Sequence, residues 1–243
     1  MTYAKLEIGD KILVRRDGTV KGSLGEFDLE RSIVVRAQEL MAYGRCEFVP
    51  IDGGGEIFLE AYNTPPQLIL MGGGHISKAL SGLAENLGFS IFVIDDRSEF
   101  ANKERFPSVT ATIVGPYDQA LSQIPVSTNS FIVVATRGHQ YDDLATEAAV
   151  RSKAGYVGLL GSKRKSLLIF EKLFANGISE ERIKEISAPI GLNIGGRTPE
   201  EIAMSIMAEI LMWRFGGDGK PMKMDQRLFK KAKDKATGML AGR

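Results

Sequence analysis

Only two histidines occur in this chain of 243 residues, His75 and His139, and each directly follows a glycine. The first closes the run Gly72-Gly73-Gly74-His75 in "LILMGGGHISKAL"; the second stands in "VVATRGHQYDD" after Arg137 and Gly138. An imidazole titrates near neutral pH, so either could act as a general acid or base. Either could instead donate a hydrogen bond to a phosphate, or hold a divalent metal together with Asp142 or Asp143. Gly72, Gly74 and Ser77 follow G-x-G-x-x-G with the last glycine replaced by another small residue. That spacing lets backbone N–H groups at a helix start approach a phosphate. Asp95, in "FVIDDR", lies where an acid would take a ribose hydroxyl pair and favour NAD. Arg97, two residues on, would instead meet a 2′-phosphate and favour NADP. Gly161, Ser162 and Lys163, in "GLLGSKRK", form a third turn suited to an anion at a helix N-terminus.

These turns need strands to hold them. "QLILMG", "SIFVID", "ATIVG", "SFIVVAT" and "AGYVGLLG" are continuous apolar runs, the pattern of parallel strands covered on both faces. "EISAPIG" is a sixth candidate. Helical segments lie between them, one from Ile76 to Leu87 with Ile76, Leu80, Leu83, Ala84 and Leu87 on one side. The alternation predicts a doubly wound α/β domain in strand order 3-2-1-4-5. In that order the turns carrying His75 and His139 are neighbours at the point where the winding reverses. A last helix opens at "RTPEE", with Thr198 as N-cap, Pro199 at the first position and Glu201 completing a capping box. The glycines at 191, 195 and 196 before it imply positive φ or close backbone approach.

The pattern before residue 64 differs. "KILVRRDGTVKGSLG" reads as a hairpin about Asp17-Gly18, "DLERSIVVRAQELMAYG" as a helix, and "CEFVPI" and "GEIFLEAY" as two further strands. The expected organisation is a small α+β domain over 1–64 and the α/β domain over 65–243. A basic tail from about 217 reads as a solvated amphipathic helix or a frayed end. Net charge is +1, which gives no reason to expect nucleic acid or an acidic membrane as partner. No apolar run is long enough for a signal peptide or a bilayer span. The single cysteine, Cys46, fits a reducing cytoplasm and is expected to be a small buried hydrophobe.

Taken together, "GGGHISKAL", "VIDDRSEFANKERFP", "TRGHQYDD", "GYVGLLGSKRK" and "APIGLNIGGRTPEEIAMSIMAEI" resemble the XdhC/CoxI family of xanthine dehydrogenase accessory proteins. The resemblance covers roughly residues 65–215. It implies a Rossmann-like C-terminal domain beside a CoxI-like N-terminal one. It also implies binding of molybdenum cofactor, help from a cysteine desulfurase, and delivery to a molybdenum hydroxylase client. Binding and handover, not turnover, would be its task, and a homodimer is compatible with it. The ligand would lie against Gly72 to His75, Asp95, Arg97, Arg137 to His139 and Gly161 to Lys163, with His75 and His139 as the residues able to do acid–base chemistry. The N-terminal stretch departs from the family pattern, because Asp28 stands where the family has a cysteine. A carboxylate forms neither a persulfide nor a thiolate–molybdenum contact. An NAD(P)-dependent oxidoreductase using the same crevice is the alternative, although no Tyr-x-x-x-Lys pair occupies a catalytic position for it.

Overall fold

The computed structural model describes residues 8–15, 17–43, 45–52, 54–62 and 64–241, with the side chains of a few helical residues, His139 and Gln140 among them, outside the description. Two antiparallel hairpins come first, β1 (Lys11–Val14) with β2 (Val20–Ser23) and β3 (Glu47–Pro50) with β4 (Glu56–Leu59), separated by helix α1 (Phe27–Tyr43). Asp17 shapes the first turn by accepting from the Thr19 N–H at 2.9 Å and its hydroxyl at 2.7 Å. Leu24, Ile33, Leu40 and Leu59 form a separate small core beneath these elements.

The larger part is a five-stranded parallel sheet: β5 (Gln67–Met71), β6 (Ser90–Asp95), β7 (Ala111–Val114), β8 (Ser130–Val134) and β9 (Tyr156–Leu159). Their spatial order is β7-β6-β5-β8-β9, the predicted 3-2-1-4-5. Alternate side chains of each strand enter opposite cores. Ile69, Met71, Ile132 and Val134 pack with Ala145, Ala149 and Leu173 on one side. Leu68, Leu70, Phe131 and Val133 pack with Leu80, Ile206 and Ile210 on the other. Leu68 to Met71 are fully buried, each worth about 1.5–3 kcal/mol of transfer free energy.

Helices α2 (His75–Asn86) and α7 (Pro199–Phe215) cover one face; α3 (Tyr117–Leu121), α4 (His139–Arg151) and α5 (Lys163–Ala175) cover the other, followed by the short α6 (Glu180–Lys184). This is the Rossmann-like, doubly wound α/β architecture. Buried Ser77, Leu80 and Ala84 give α2 its inward stripe. Leu87, expected on that stripe, is 41% exposed because the helix ends there and Leu87 serves as its C-cap. At α7, Thr198 accepts from the Glu201 N–H while Glu201 accepts from the Thr198 N–H, so the capping box is complete. The expected sixth strand is reduced to a single bridge, Gly158 to Ser187; Pro189 has no N–H with which to extend the pairing. The basic tail carries α8 (Gln226–Ala241), and all residues from Phe215 to Lys235 are exposed. Among the described residues, no helix is long and apolar enough to cross a membrane.

Cys46 contradicts its expected place. It is exposed, just before β3 and outside the small core. Asp28 is an exposed acid in the first turn of α1, where a negative charge suits the helix dipole.

Candidate functional site

The loops beyond the carboxyl ends of β5, β6, β8 and β9 are joined edge to edge. At the centre lies the glycine turn. Gly72 has φ +117°, and a Cβ there would lie 2.2 Å from the Ala135 carbonyl oxygen, so the turns after β5 and β8 are in backbone contact. A Cβ on Gly73 would lie 2.0 Å from the carbonyl oxygen of Phe100, in the loop after β6. Gly74 differs: φ is −68°, and a Cβ would meet nothing within 4 Å. The first two glycines serve close packing, and the third borders open space.

Asp95 fastens this turn. It is 1% exposed, and its carboxylate accepts from the Gly73 N–H at 2.8 Å, the Arg97 N–H at 3.1 Å, Arg97 Nε at 2.9 Å and Arg97 Nη2 at 3.2 Å. Burial alone would raise its pKa, but the Arg97 guanidinium and the two backbone donors outweigh that effect and hold it below the ordinary 3.8. Both oxygens are thus occupied from within, which leaves little acceptor capacity for a ribose. Arg97, the proposed 2′-phosphate contact, is likewise bound to Asp95 and stacks 3.6 Å above the Phe100 ring.

Arg105 enters the site without a local signal in the sequence. Its Nε donates to the Gly73 carbonyl at 2.8 Å, while its Nη2 is buried and makes no hydrogen bond. Arg137 reaches from the loop after β8 to Asp96 in the loop after β6, at 2.8 Å, and to the Tyr141 hydroxyl at 3.3 Å. Tyr117, at the start of α3, buries a hydroxyl with no partner. Burial first, then the charges of Asp95 and Asp96, push that phenol's pKa upward.

The rim after β9 is organised differently. Ser162 caps α5 by accepting from the Lys165 N–H at 3.2 Å. Lys165 lies across Gly161, where a Cβ would come within 2.6 Å of its Cδ. Its amine donates to the Leu160 carbonyl at 2.9 Å and lies 2.5 Å from Asp142, a carboxylate with no exposure. The other Asp142 oxygen accepts from Thr136 at 2.8 Å. The small residue at 161 therefore makes room for a buried ion pair, and Lys163 stays exposed outside it. Breaking such a pair by removing one partner costs about 3–5 kcal/mol.

His75 and His139 are the first residues of α2 and α4, which follow the adjacent strands β5 and β8. The topology thus puts both helix starts at the winding reversal. His75 is exposed, and the His139 side chain lies outside the described residues. The N-caps of these helices are Gly74 and Gly138, neither with a side-chain cap. Among the described residues no group of three or more His, Cys, Asp or Glu could hold a metal.

Four residues beyond the carboxyl ends of the strands, Ser77, Asp96, Arg105 and Tyr117, each bury a polar side-chain atom that makes no hydrogen bond among the described residues. All four stand in loops or first helical turns. Orphaned groups of this kind call for water or a ligand. The Thr146 hydroxyl, further along α4, is buried in the same way. Cavities of about 450 and 540 Å³ open elsewhere, at the amino ends, one beside Arg15, Asn129 and Arg214 and the other beside Lys153, Arg182 and Trp213.

Residues 68–210 match the XdhC Rossmann domain family. The chain is 32% identical over 224 residues to the uncharacterized protein YqeB of Escherichia coli (strain K12), covering 86% of this chain and 41% of that protein. It is 32% identical over 158 residues to a probable xanthine dehydrogenase subunit of Bacillus subtilis (strain 168), covering 65% and 46%. A shorter match, 29% over 91 residues, covers 37% of this chain and 29% of the molybdenum cofactor insertion chaperone PaoD of Escherichia coli (strain K12). The chain thus spans less than half the length of these relatives. The crystal structure of a xanthine dehydrogenase from Bacillus halodurans shares the fold, with TM-score 0.55 over 88% of both chains at 19% identity. The family's matched segment carries all four strand-end loops of the crevice, and this chain belongs to the XdhC Rossmann domain family.

Proposed function

We propose that this protein is an XdhC-like accessory protein that receives a phosphate-bearing ligand at the winding reversal of the sheet, for maturation of a molybdenum hydroxylase. The observation that carries this reading is a set of buried donors without partners, the hydroxyls of Ser77 and Tyr117 and the Nη2 of Arg105, on the carboxyl side of the sheet, where α2 and α4 begin without a side-chain cap. Free N–H groups at a helix start favour an anion. The names borne by two relatives, a molybdenum cofactor insertion chaperone and a probable xanthine dehydrogenase subunit, point to molybdenum cofactor as ligand and a molybdenum hydroxylase as client.

The residues present fit the anionic and polar parts of such a group. Gly74 and Gly138 leave N–H donors for a phosphate; Tyr117 and Ser77 hold unpartnered hydroxyls buried behind them; His75 is exposed. A thiolate is not among them: the only cysteine, Cys46, belongs to the N-terminal hairpin region, and Asp28 cannot replace one. When bound, the cofactor would supply the metal and its sulfur chemistry, and this chain would bind, orient and release it. The cysteine desulfurase would then have to act without a thiol relay on Asp28. Residues 1–64 would form the CoxI-like unit and 65–243 the binding unit, in the cytoplasm. The internal saturation of Asp95 weighs against the dinucleotide oxidoreductase reading, since a ribose would have to compete with four donors already in place.

Mass spectrometry of natively purified protein should detect a copurified pterin, and Gly74→Val should abolish it while leaving the fold intact. A purified protein that takes up no pterin, together with a gene deletion that leaves every molybdenum hydroxylase active, would falsify the reading. A copurified nicotinamide dinucleotide would favour the oxidoreductase instead.

A further inference from the structure

Two successive carboxylates stand at the end of β6, and they are used differently. Asp95 is saturated by donors of its own fold. Asp96 spends one oxygen on Arg137, 2.8 Å away, while its other oxygen is buried and accepts no hydrogen bond; Arg97 Nε is 3.7 Å off. The Asp96–Arg137 pair joins the loops after β6 and β8, and β5 with its glycine turn lies between those strands. The pair therefore spans the mouth where the phosphate is proposed to sit. Arg137 remains 42% exposed, resting on Tyr141 with its guanidinium carbon 5.0 Å from the ring centre.

We infer that Asp96 is a stand-in for the ligand's anion: an entering phosphate takes Arg137 over from Asp96. The inference rests on the crevice reading above. A carboxylate that yields an arginine keeps an otherwise cationic rim from attracting stray anions. It also sets a threshold, since the ligand must offer more charge than a single carboxylate to win the exchange. With Asp96 displaced, Arg137 and the unpartnered Nη2 of Arg105 are the guanidinium donors at the turn, a pairing suited to a phosphate monoester or a diphosphate.

The exchange makes a prediction that a merely positioning Asp96 would not. Inorganic pyrophosphate is titrated calorimetrically into the full chain and its variants, each first shown to unfold at a wild-type-like temperature. Asp96→Asn should bind pyrophosphate about fivefold tighter, because the internal competitor is gone. Arg137→Gln should bind about tenfold more weakly. In the Arg137→Gln background, Asp96→Asn should bring no gain, since Asp96 acts through the arginine. An equal gain in both backgrounds would reduce Asp96 to a through-space charge and overturn the exchange while leaving the crevice standing. No gain in either would do the same. Failure of wild type and Asp96→Asn alike to bind pyrophosphate would remove the crevice reading and the exchange together.

Discussion

The helices of the parallel-sheet domain differ in how they begin. Those after β9 finish themselves: Ser162, Ser179 and Thr198 cap α5, α6 and α7 with their own side chains, and Lys165 neutralises the buried Asp142. The helices before β9 do not: α2 and α4, which flank the winding reversal, start from glycines and α3 starts from Pro116, none with a side-chain cap, and a buried side-chain atom in each of Ser77, Asp96, Arg105 and Tyr117 lacks a hydrogen bond on the same side of the sheet. Capping residues cost a chain nothing in packing and contribute about 1 kcal/mol each. Their absence from both helices at the reversal, beside glycines that are sterically required, marks the difference: the helices after β9 satisfy their own starts, and those after β5 and β8 leave N–H groups open to an anion.

The contrast can be broken at its strongest point first. Gly73→Ala should cost about 4 kcal/mol in denaturant unfolding, because its methyl has to displace the Phe100 backbone; a near-neutral result would mean that the turn is not packed as described. Lys165→Met should lose about 3 kcal/mol by leaving Asp142 buried without its cation, and binding of ligand should survive if that side is structural. Asp95→Asn should lose about 2 kcal/mol at neutral pH. Its deficit has a pH signature. A carboxylate whose folded pKa is lowered contributes fully above 3.8 and loses that contribution as pH falls through the folded value. The gap between Asp95→Asn and wild type should therefore close on acidification below 3.8; a gap constant with pH would show that the charge is not what holds the turn.

The mildest pair is the sharpest. Thr198→Ala should cost about 1 kcal/mol with no effect on ligand. Gly74→Ser, at a position with extended N-cap geometry and open space, should gain a few tenths of a kcal/mol in thermal unfolding while weakening ligand uptake. If serine at 74 left uptake unchanged, the uncapped start of α2 would have lost its purpose.

Much of the scaffold was legible in the sequence. Continuous apolar runs such as "QLILMG" and "SFIVVAT" marked buried parallel strands, and the Thr198–Glu201 spacing marked a helix start, because both signals are local. The adjacency of the turns after β5 and β8 was legible too, since the strand order follows from the same pattern. The wiring of the crevice was not. Arg105 reaches Gly73 across 32 positions and Arg137 reaches Asp96 across 41, contacts that no periodicity encodes. Asp95 matched a ribose acceptor by spacing alone, whereas its occupation depends on where Arg97 folds back. Lys165, not Lys163, became the structural cation, because Gly161 opens a path to the Asp142 carboxylate that no local pattern encodes. Cys46 is exposed because it stands between a helix and a hairpin, where a small apolar residue has no core to enter.

The chain's one tryptophan stands far from all of this. Trp213 meets Phe131 at 5.4 Å and Tyr156 at 5.9 Å between ring centres, at the amino ends of β8 and β9. Its emission should follow the melting of the sheet. Trp213 is thus a reporter of folding and not of local events at the glycine turn, and an optical reporter installed near Gly74 would watch uptake directly.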